Sequence, residues 1–190
     1  MTVNLSKGQK VDLTKGRSGL KKVTVGLGWD AAHSGSASFD CDASAVLLCG
    51  DPPKMTALSD IIYYGHLKHN SGSVVHNGDN LTGDGDGDDE QITVDLSVIP
   101  SQYTKIVFVV NVFEAKERHQ HFGMLKNAFI RLVDAATNEE ICRYSLGERY
   151  DGMTGLVFGE IYKRDNDWKF NAIGMATSDD NVLDLAKRFK

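Results

Sequence analysis

Six carboxylates fall within the thirteen residues Gly78-Asp79-Asn80-Leu81-Thr82-Gly83-Asp84-Gly85-Asp86-Gly87-Asp88-Asp89-Glu90. No Lys or Arg occurs between Lys68 and Lys105 to offset them locally. A stretch this charged cannot enter a core, and carboxylates so close repel one another and hold a loop open. A divalent cation turns that repulsion into attraction. Calcium suits best, because it takes six to eight hard oxygens in loose geometry, and glycines let the backbone curl its carbonyls inward. Asp84-Gly85-Asp86-Gly87-Asp88 matches the opening D-x-D-x-D of an EF-hand loop. The match then ends: Asp89 stands where that loop needs glycine, Asp95 replaces the closing Glu, and the flanking segments read as strands. The expectation is a calcium loop of another design. Asp40 and Asp42, at i and i+2, would project from one face of a strand, and Asp30 ends the strand before it. These three either complete the same site or build a second.

The segments around the loop alternate with period two or are short and apolar. Val23, Val25 and Leu27 alternate with Thr24, Gly26 and Gly28, a half-buried strand ending at Trp29-Asp30. Residues 31–38 are small and polar and read as a loop. Phe39 to Cys49 is a strand stopped by Pro52-Pro53, and Ile61 to Tyr64 and Val74 to His76 are short strands. Ile92, Val94 and Leu96 lead a strand out of the acidic loop. Lys105 to Phe113 is apolar apart from Asn111, as a central strand would be. Phe129 to Val133, Glu140 to Tyr144, Leu156 to Lys163 and Trp168 to Ile173 bring the total to about ten strands. Asn138 and Asp165-Asn166 fall where hairpin turns belong. Val182, Leu185, Ala186 and Phe189 recur at helical spacing, with Ser178 to Asp180 available as a cap. Nineteen glycines against three prolines fit many tight turns. The expected fold is mostly β: two packed antiparallel sheets forming a β-sandwich, with few short helices, one of them C-terminal. With no linker or internal repeat, residues 1–190 read as a single domain.

Charge is distributed unevenly. Residues 1–22 carry a net +5, residues 23–104 a net −10, and residues 105–190 balance, for −5 in all. An acidic middle repels phosphate backbones, so nucleic acid is excluded as a partner and cations are favoured. No apolar run is long enough to cross a bilayer, and the first residues lack the apolar core of a signal peptide. The expected location is therefore cytoplasmic, without direct membrane insertion. Cys41, Cys49 and Cys142, an odd count without a CxxC pair, read as small buried hydrophobes in a reducing compartment.

Several long stretches carry a family resemblance. Asn4-Leu5-Ser6-Lys7-Gly8-Gln9, Gly26-Leu27-Gly28-Trp29-Asp30, Phe39-Asp40-Cys41-Asp42-Ala43-Ser44 and Val74-Val75-His76-Asn77-Gly78-Asp79-Asn80-Leu81-Thr82-Gly83 come first. Asp86-Gly87-Asp88-Asp89-Glu90, Asn127-Ala128-Phe129-Ile130-Arg131 and Phe158-Gly159-Glu160-Ile161-Tyr162 follow in order. In these the chain resembles the TerD family of bacterial tellurite-resistance and general-stress proteins, from Asn4 to about Gly174. The resemblance implies a calcium-binding β-sandwich acting against tellurite and other chemical or phage stress, with no known enzymatic activity. It implies work beside paralogues and a membrane-associated resistance complex. It also implies calcium ligands drawn from Asp40, Asp42, Asp79, Asn80, Asp84, Asp86, Asp88, Asp89 and Glu90. Cys41, Phe113-Glu114-Ala115, His119-Gln120-His121 and the tail Met175 to Lys190 depart from the usual pattern, and the subgroup stays open on their account.

Other chemistries are weaker. Asp40-Cys41-Asp42-Ala43-Ser44 superficially matches a haloacid-dehalogenase nucleophile motif, but its apolar run follows the motif instead of preceding it. His119 and His121, with His66, His69 and His76 elsewhere, read as exposed and not as zinc ligands. There is no phosphate loop and no nucleophile elbow. Asn111 and Glu114 read as hydrogen-bonded structural positions. The expected function is a calcium-dependent binding module. The alternative is a calcium-dependent sensor of a small anion, an oxyanion or a nucleotide. Thiol chemistry on tellurite ranks below both.

Overall fold

The computed structural model describes residues 2–17, 19–31, 39–78, 87–148 and 150–190. Among them, twelve strands form two six-stranded sheets: β1 (Val3–Leu5), β2 (Lys10–Asp12), β3 (Lys22–Ala31), β4 (Cys41–Cys49), β5 (Ile61–Ile62), β6 (Val74–His76), β7 (Glu90–Asp95), β8 (Tyr103–Val112), β9 (Leu125–Asp134), β10 (Glu140–Ser145), β11 (Gly155–Arg164) and β12 (Asp167–Thr177). The first sheet runs β1-β10-β9-β3-β7-β6 and the second β2-β12-β11-β8-β4-β5. The β-sandwich expected from the alternation is the observed fold. One pairing departs from it: β1 lies parallel to β10, so the first sheet is mixed.

The core follows the period of two. Val23, Val25 and Leu27 of β3 face Ala43, Ala45 and Leu47 of β4 and Ile106, Phe108 and Val110 of β8 across the interior. The opposite face of the second sheet is also dry. There Val46, Leu48, Val107 and Val109 meet Val182, Leu185 and Ala186 of α2 (Val182–Lys187). A sheet buried on both faces explains the continuous apolar run of β8. Asn181, not Ser178 to Asp180, caps this helix: its side chain accepts the Asp184 N–H at 3.0 Å.

Asn138, Asp165 and Asn166 take positive φ, the left-handed geometry that tight hairpins need. β5 stops at Ile62 instead of reaching Tyr64, because Tyr63 and His66 exchange backbone hydrogen bonds in a tight turn. β4 begins at Cys41, two residues later than the apolar run suggested. A short helix, α1 (Ala115–Arg118), lies between left-handed Glu114 and His119; four residues are too few to show a helical period. No helix among the described residues is long and apolar enough to cross a membrane. Most of the expected 31–38 loop lies outside the described residues.

Candidate functional site

β5 pairs with β4 only at Ala45 and Val46, which leaves the outward backbone groups of Ala43 beyond its reach. Two side chains of the first sheet replace the missing strand. The Ala43 N–H donates to Glu90 Oε2 at 2.5 Å, and the Ala43 carbonyl lies 3.2 Å from His76 Nε2. His76 Nδ1 accepts the Gly78 N–H at 3.3 Å, which leaves the ring proton on Nε2 to donate to Ala43. Glu90 and His76 thus tie β7 and β6 to the far sheet.

The foot of the acidic loop lies on the outer face of the first sheet. Asp88 is gripped by Arg131 of β9 at 2.7 and 3.1 Å, a bidentate pair, and Gln91 donates to it at 3.1 Å. Gly26 and Gly28 make room. A Cβ on Gly26 would strike the Asp88 carboxylate, and one on Gly28 would come 2.7 Å from the Gly87 carbonyl. Asp89 follows, its N–H on the Leu27 carbonyl at 2.8 Å and its Oδ2 accepting the Trp29 N–H at 2.7 Å. The absence of nearby basic residues in the sequence does not leave Asp88 bare, because Arg131 arrives across the sheet.

Asp40 and Asp42 are each 4% exposed. Asp42 accepts Asn111 Nδ2 at 3.0 Å, and the Asp40 carbonyl accepts the Phe113 N–H at 2.9 Å. Asn111 is thus a structural partner, while exposed Glu114 pairs with Arg118 at 3.2 Å. Burial drives the Cys41 thiol well above its usual range, and the charges of Asp42, Asp40, Glu90 and Asp89 push it further. Four carboxylates from both sheets therefore bear on one buried sulfur. Asp30 belongs elsewhere: exposed on the first sheet, it accepts Asn127 Nδ2 at 2.7 Å. Asp79, Asn80, Asp84 and Asp86 lie outside the described residues. Among the described residues, no three His, Cys, Asp or Glu side chains close on a point that could hold a metal.

A second polar cluster has no sequence motif. Asp60 is 2% exposed. It accepts the Tyr103 hydroxyl at 2.7 Å, the Ala57 N–H at 2.9 Å and the Thr56 hydroxyl at 3.0 Å. His69 Nε2 stands 3.7 Å from Asp60, and His69 Nδ1 is 2.7 Å from Ser71 Oγ. His69 and His76, expected at the surface, are 5% and 2% exposed. Each fills a polar gap between strands, which spacing alone does not reveal. Cys41 and Cys142 are buried, as expected, while Cys49 is only partly so, and all three are free thiols.

A family model described as TerD domain matches residues 1–189. Stress response protein SCP2 of Bacillus subtilis (strain 168) is 46% identical over 200 residues, covering 100% of both chains. General stress protein 16U of the same organism is 49% identical, covering 92% of this chain and 90% of its own. Tellurium resistance protein TerD of Serratia marcescens is 47% identical over the same shares, 92% and 90%. A solved homologue of telluride resistance protein (TerD) from Streptomyces coelicolor A3(2) aligns with TM-score 0.72 over 90% of this chain and 99% of that one, at 20% identity. At that identity the likeness speaks for the fold alone.

Proposed function

This chain belongs to the TerD domain family, and from that premise we propose that it is a cytoplasmic calcium-binding stress-response module. In this reading it contributes to resistance to tellurite and other chemical or phage stress through calcium-dependent binding of partner proteins, without catalysis. Its partners are paralogues of the same family and a membrane-associated resistance complex. The names of its relatives supply the physiological setting, two of them being a stress response protein and a tellurium resistance protein.

One observation carries the calcium reading: the Glu90–Ala43 hydrogen bond brings buried Asp40 and Asp42 to the root of a segment that adds further carboxylates. Gathering buried like charges is costly unless a cation joins them. Every donor in the set is a hard oxygen, which suits calcium over softer metals. Asp40, Asp42 and Asp89 would hold the ion together with Asp79, Asn80, Asp84 and Asp86. Glu90 braces Ala43, and Asp88 would first have to leave Arg131. Calcium held there would supply the positive charge that offsets these carboxylates where a partner binds. The buried Cys41 and Cys142 thiols are both pushed up by burial, Cys142 to about 12, which disfavours direct thiolate attack on tellurite.

The test is titration calorimetry of calcium into chelator-treated protein, with magnesium as the control. Saturable binding that prefers calcium and weakens in Asp42→Asn and Asp86→Asn supports the reading. No heat and no thermal stabilisation overturns it.

A further inference from the structure

The basic start of the chain and its acidic middle lie at opposite ends of the sandwich. Residues 1–22 carry a net +5, and their strand β2 is the edge of the second sheet. With the adjoining ends of β11 and β12 it lines a shallow groove of about 270 Å³. Asp12 pairs with Lys169, Lys169 with Tyr162, and Lys10 with Asn171. Phe170 and Ile161, one step along each strand, point into the core, so Lys169 and Tyr162 face outward. Lys10 Nζ stands 5.9 Å from the centroid of the Tyr162 ring, and Arg164 and Asp165 complete the wall.

Part of this charge is already used. Lys169 is paired with Asp12, and Arg17 donates to the Asp12 carbonyl at 2.7 Å. On the next strand Lys105 and Glu160 cancel at 2.7 Å. Two cations are left over. Lys10 is exposed, and its described contact is with the Tyr162 ring and not with a carboxylate. Arg164 reaches only Asp165, at 3.7 Å and between two strongly exposed groups, which holds neither in place.

The acidic loop has the complementary surplus. Asp88 and Glu90 are held by Arg131 and Ala43, while residues 79–86, outside the described residues, add Asp79, Asp84 and Asp86 and no basic residue. Residues 32–38, also outside the described residues, carry no acid. The loop cannot fill the groove of its own chain. Glu90 meets Ala43, which pairs with Val110, whereas Tyr162 pairs with Lys105. That stretch of β8 takes up about 17 Å, and the spacings from β8 to β12 add about 10 Å sideways. With both ends anchored at Gly78 and Gly87, the loop tip reaches at most about 15 Å from its root.

We propose that this groove docks the acidic segment 79–86 of a second copy of the chain. The contact is heterologous, head to tail, so association need not stop at a pair. The proposal is independent of the calcium reading and is tested in chelator.

The full chain is followed by sedimentation velocity at rising concentration. The expected average mass climbs at low salt and returns to the monomer near 1 M salt, where the screening length is about 3 Å. Lys10→Glu/Arg164→Glu, at two exposed positions, weakens association about ten-fold or more. So does Asp84→Lys/Asp86→Lys. The two double variants, each monomeric alone, associate when mixed, because each then meets a groove of opposite charge. A chain that stays monomeric at every concentration overturns the proposal. So does association that survives Lys10→Glu/Arg164→Glu, or a mixture that stays monomeric. A monomer that instead sediments with phosphatidylglycerol vesicles through Lys10 and Arg164 would make the groove a membrane contact, and overturns it equally.

Discussion

Glu90 and Asp60 are 1% and 2% exposed, and each stands within 3.7 Å of a histidine nitrogen, yet their surroundings are opposite. Asp60 is ringed by donors from Tyr103, Ala57 and Thr56. Burial raises its pKa, but these hydrogen bonds outweigh that and leave it below the ordinary value. Glu90 takes the Ala43 N–H and sits among like charges, adding with Asp42, Asp40 and Asp89 to the field on Cys41. The chain surrounds the first carboxylate with donors of its own, and ties the second to Ala43 and His76 with further carboxylates close by. One arrangement holds the fold together. The other is where the proposed cation would join.

Removing Asp60 should therefore have the largest effect and be blind to calcium. Asp60→Ala strands the Tyr103 hydroxyl and the Thr56 and Ala57 N–H groups, at about 3 kcal/mol or more. Urea unfolding should show that loss equally with calcium and with chelator. A loss seen only with calcium would break the contrast.

Calcium itself should come next. Bound as proposed, at a hundred times its dissociation constant it would stabilise the folded chain by about 2.7 kcal/mol, roughly 5 to 10 °C in Tm for a chain of this size. Glu90→Gln keeps an acceptor for Ala43 and removes one charge. In chelator it should melt at least as high as the parent, and calcium should raise its Tm less. A Glu90→Gln variant that melts lower in chelator and gains the full calcium increment would place Glu90 beside Asp60 as a purely structural group.

Much of the contrast was legible beforehand, and only on one side. Alternation in β3 and β7, the apolar β8 and the left-handed Asn138 and Asp165-Asn166 are local signals, so the sandwich could be read residue by residue. β1 and β2 could not. They are three-residue edge strands that exist only by pairing with Cys142–Tyr144 and Lys169–Asn171. The acids declared themselves by density, but their partners did not. Arg131 meets Asp88 from 43 positions away, and Glu90 reaches Ala43 only because β5 ends early. Asp60 stands alone in sequence, and its cluster assembles from three separate segments, Thr56–Asp60, His69–Ser71 and Tyr103. Composition reveals what a site is made of; topology decides which groups are already spoken for.

The Asp60 side also predicts a pH signature, smaller than the calcium effect. Burial lowers the His69 pKa against the opposing pull of Asp60. The unfolded chain protonates this histidine near pH 6.5, while the folded chain resists until lower pH. Below about pH 6.5 the unfolded state thus binds more protons, and stability falls as pH falls. Asp60 acts in a second window: its folded pKa is depressed, so its contribution persists above about pH 4 and is lost as pH drops through the folded value. His69→Gln should flatten the limb between pH 7 and 5.5 and leave the acid limb in place. An unchanged slope would mean that His69 is not held neutral.

The smallest effect should be at the thiols, and it sharpens the Glu90 side. Cys41 is buried and its thiolate is disfavoured first by desolvation and then by four carboxylates; Cys142 is pushed up first by burial, with Glu140 adding to it and a backbone hydrogen bond from Leu132 and the charge of Arg17 opposing. Cys49 is only partly buried. Maleimide at mild alkaline pH should therefore modify Cys49 first, with Cys41 and Cys142 labelled only as fast as the chain opens. Because attack needs the thiolate, the rate at Cys41 measures the negative field around it as well as its burial. Fast labelling of Cys41 in chelator, with the fold intact by circular dichroism, would mean that the field is already quenched from within. The crowded carboxylates would then be as self-sufficient as Asp60, and the physical case for an outside cation would fall with them.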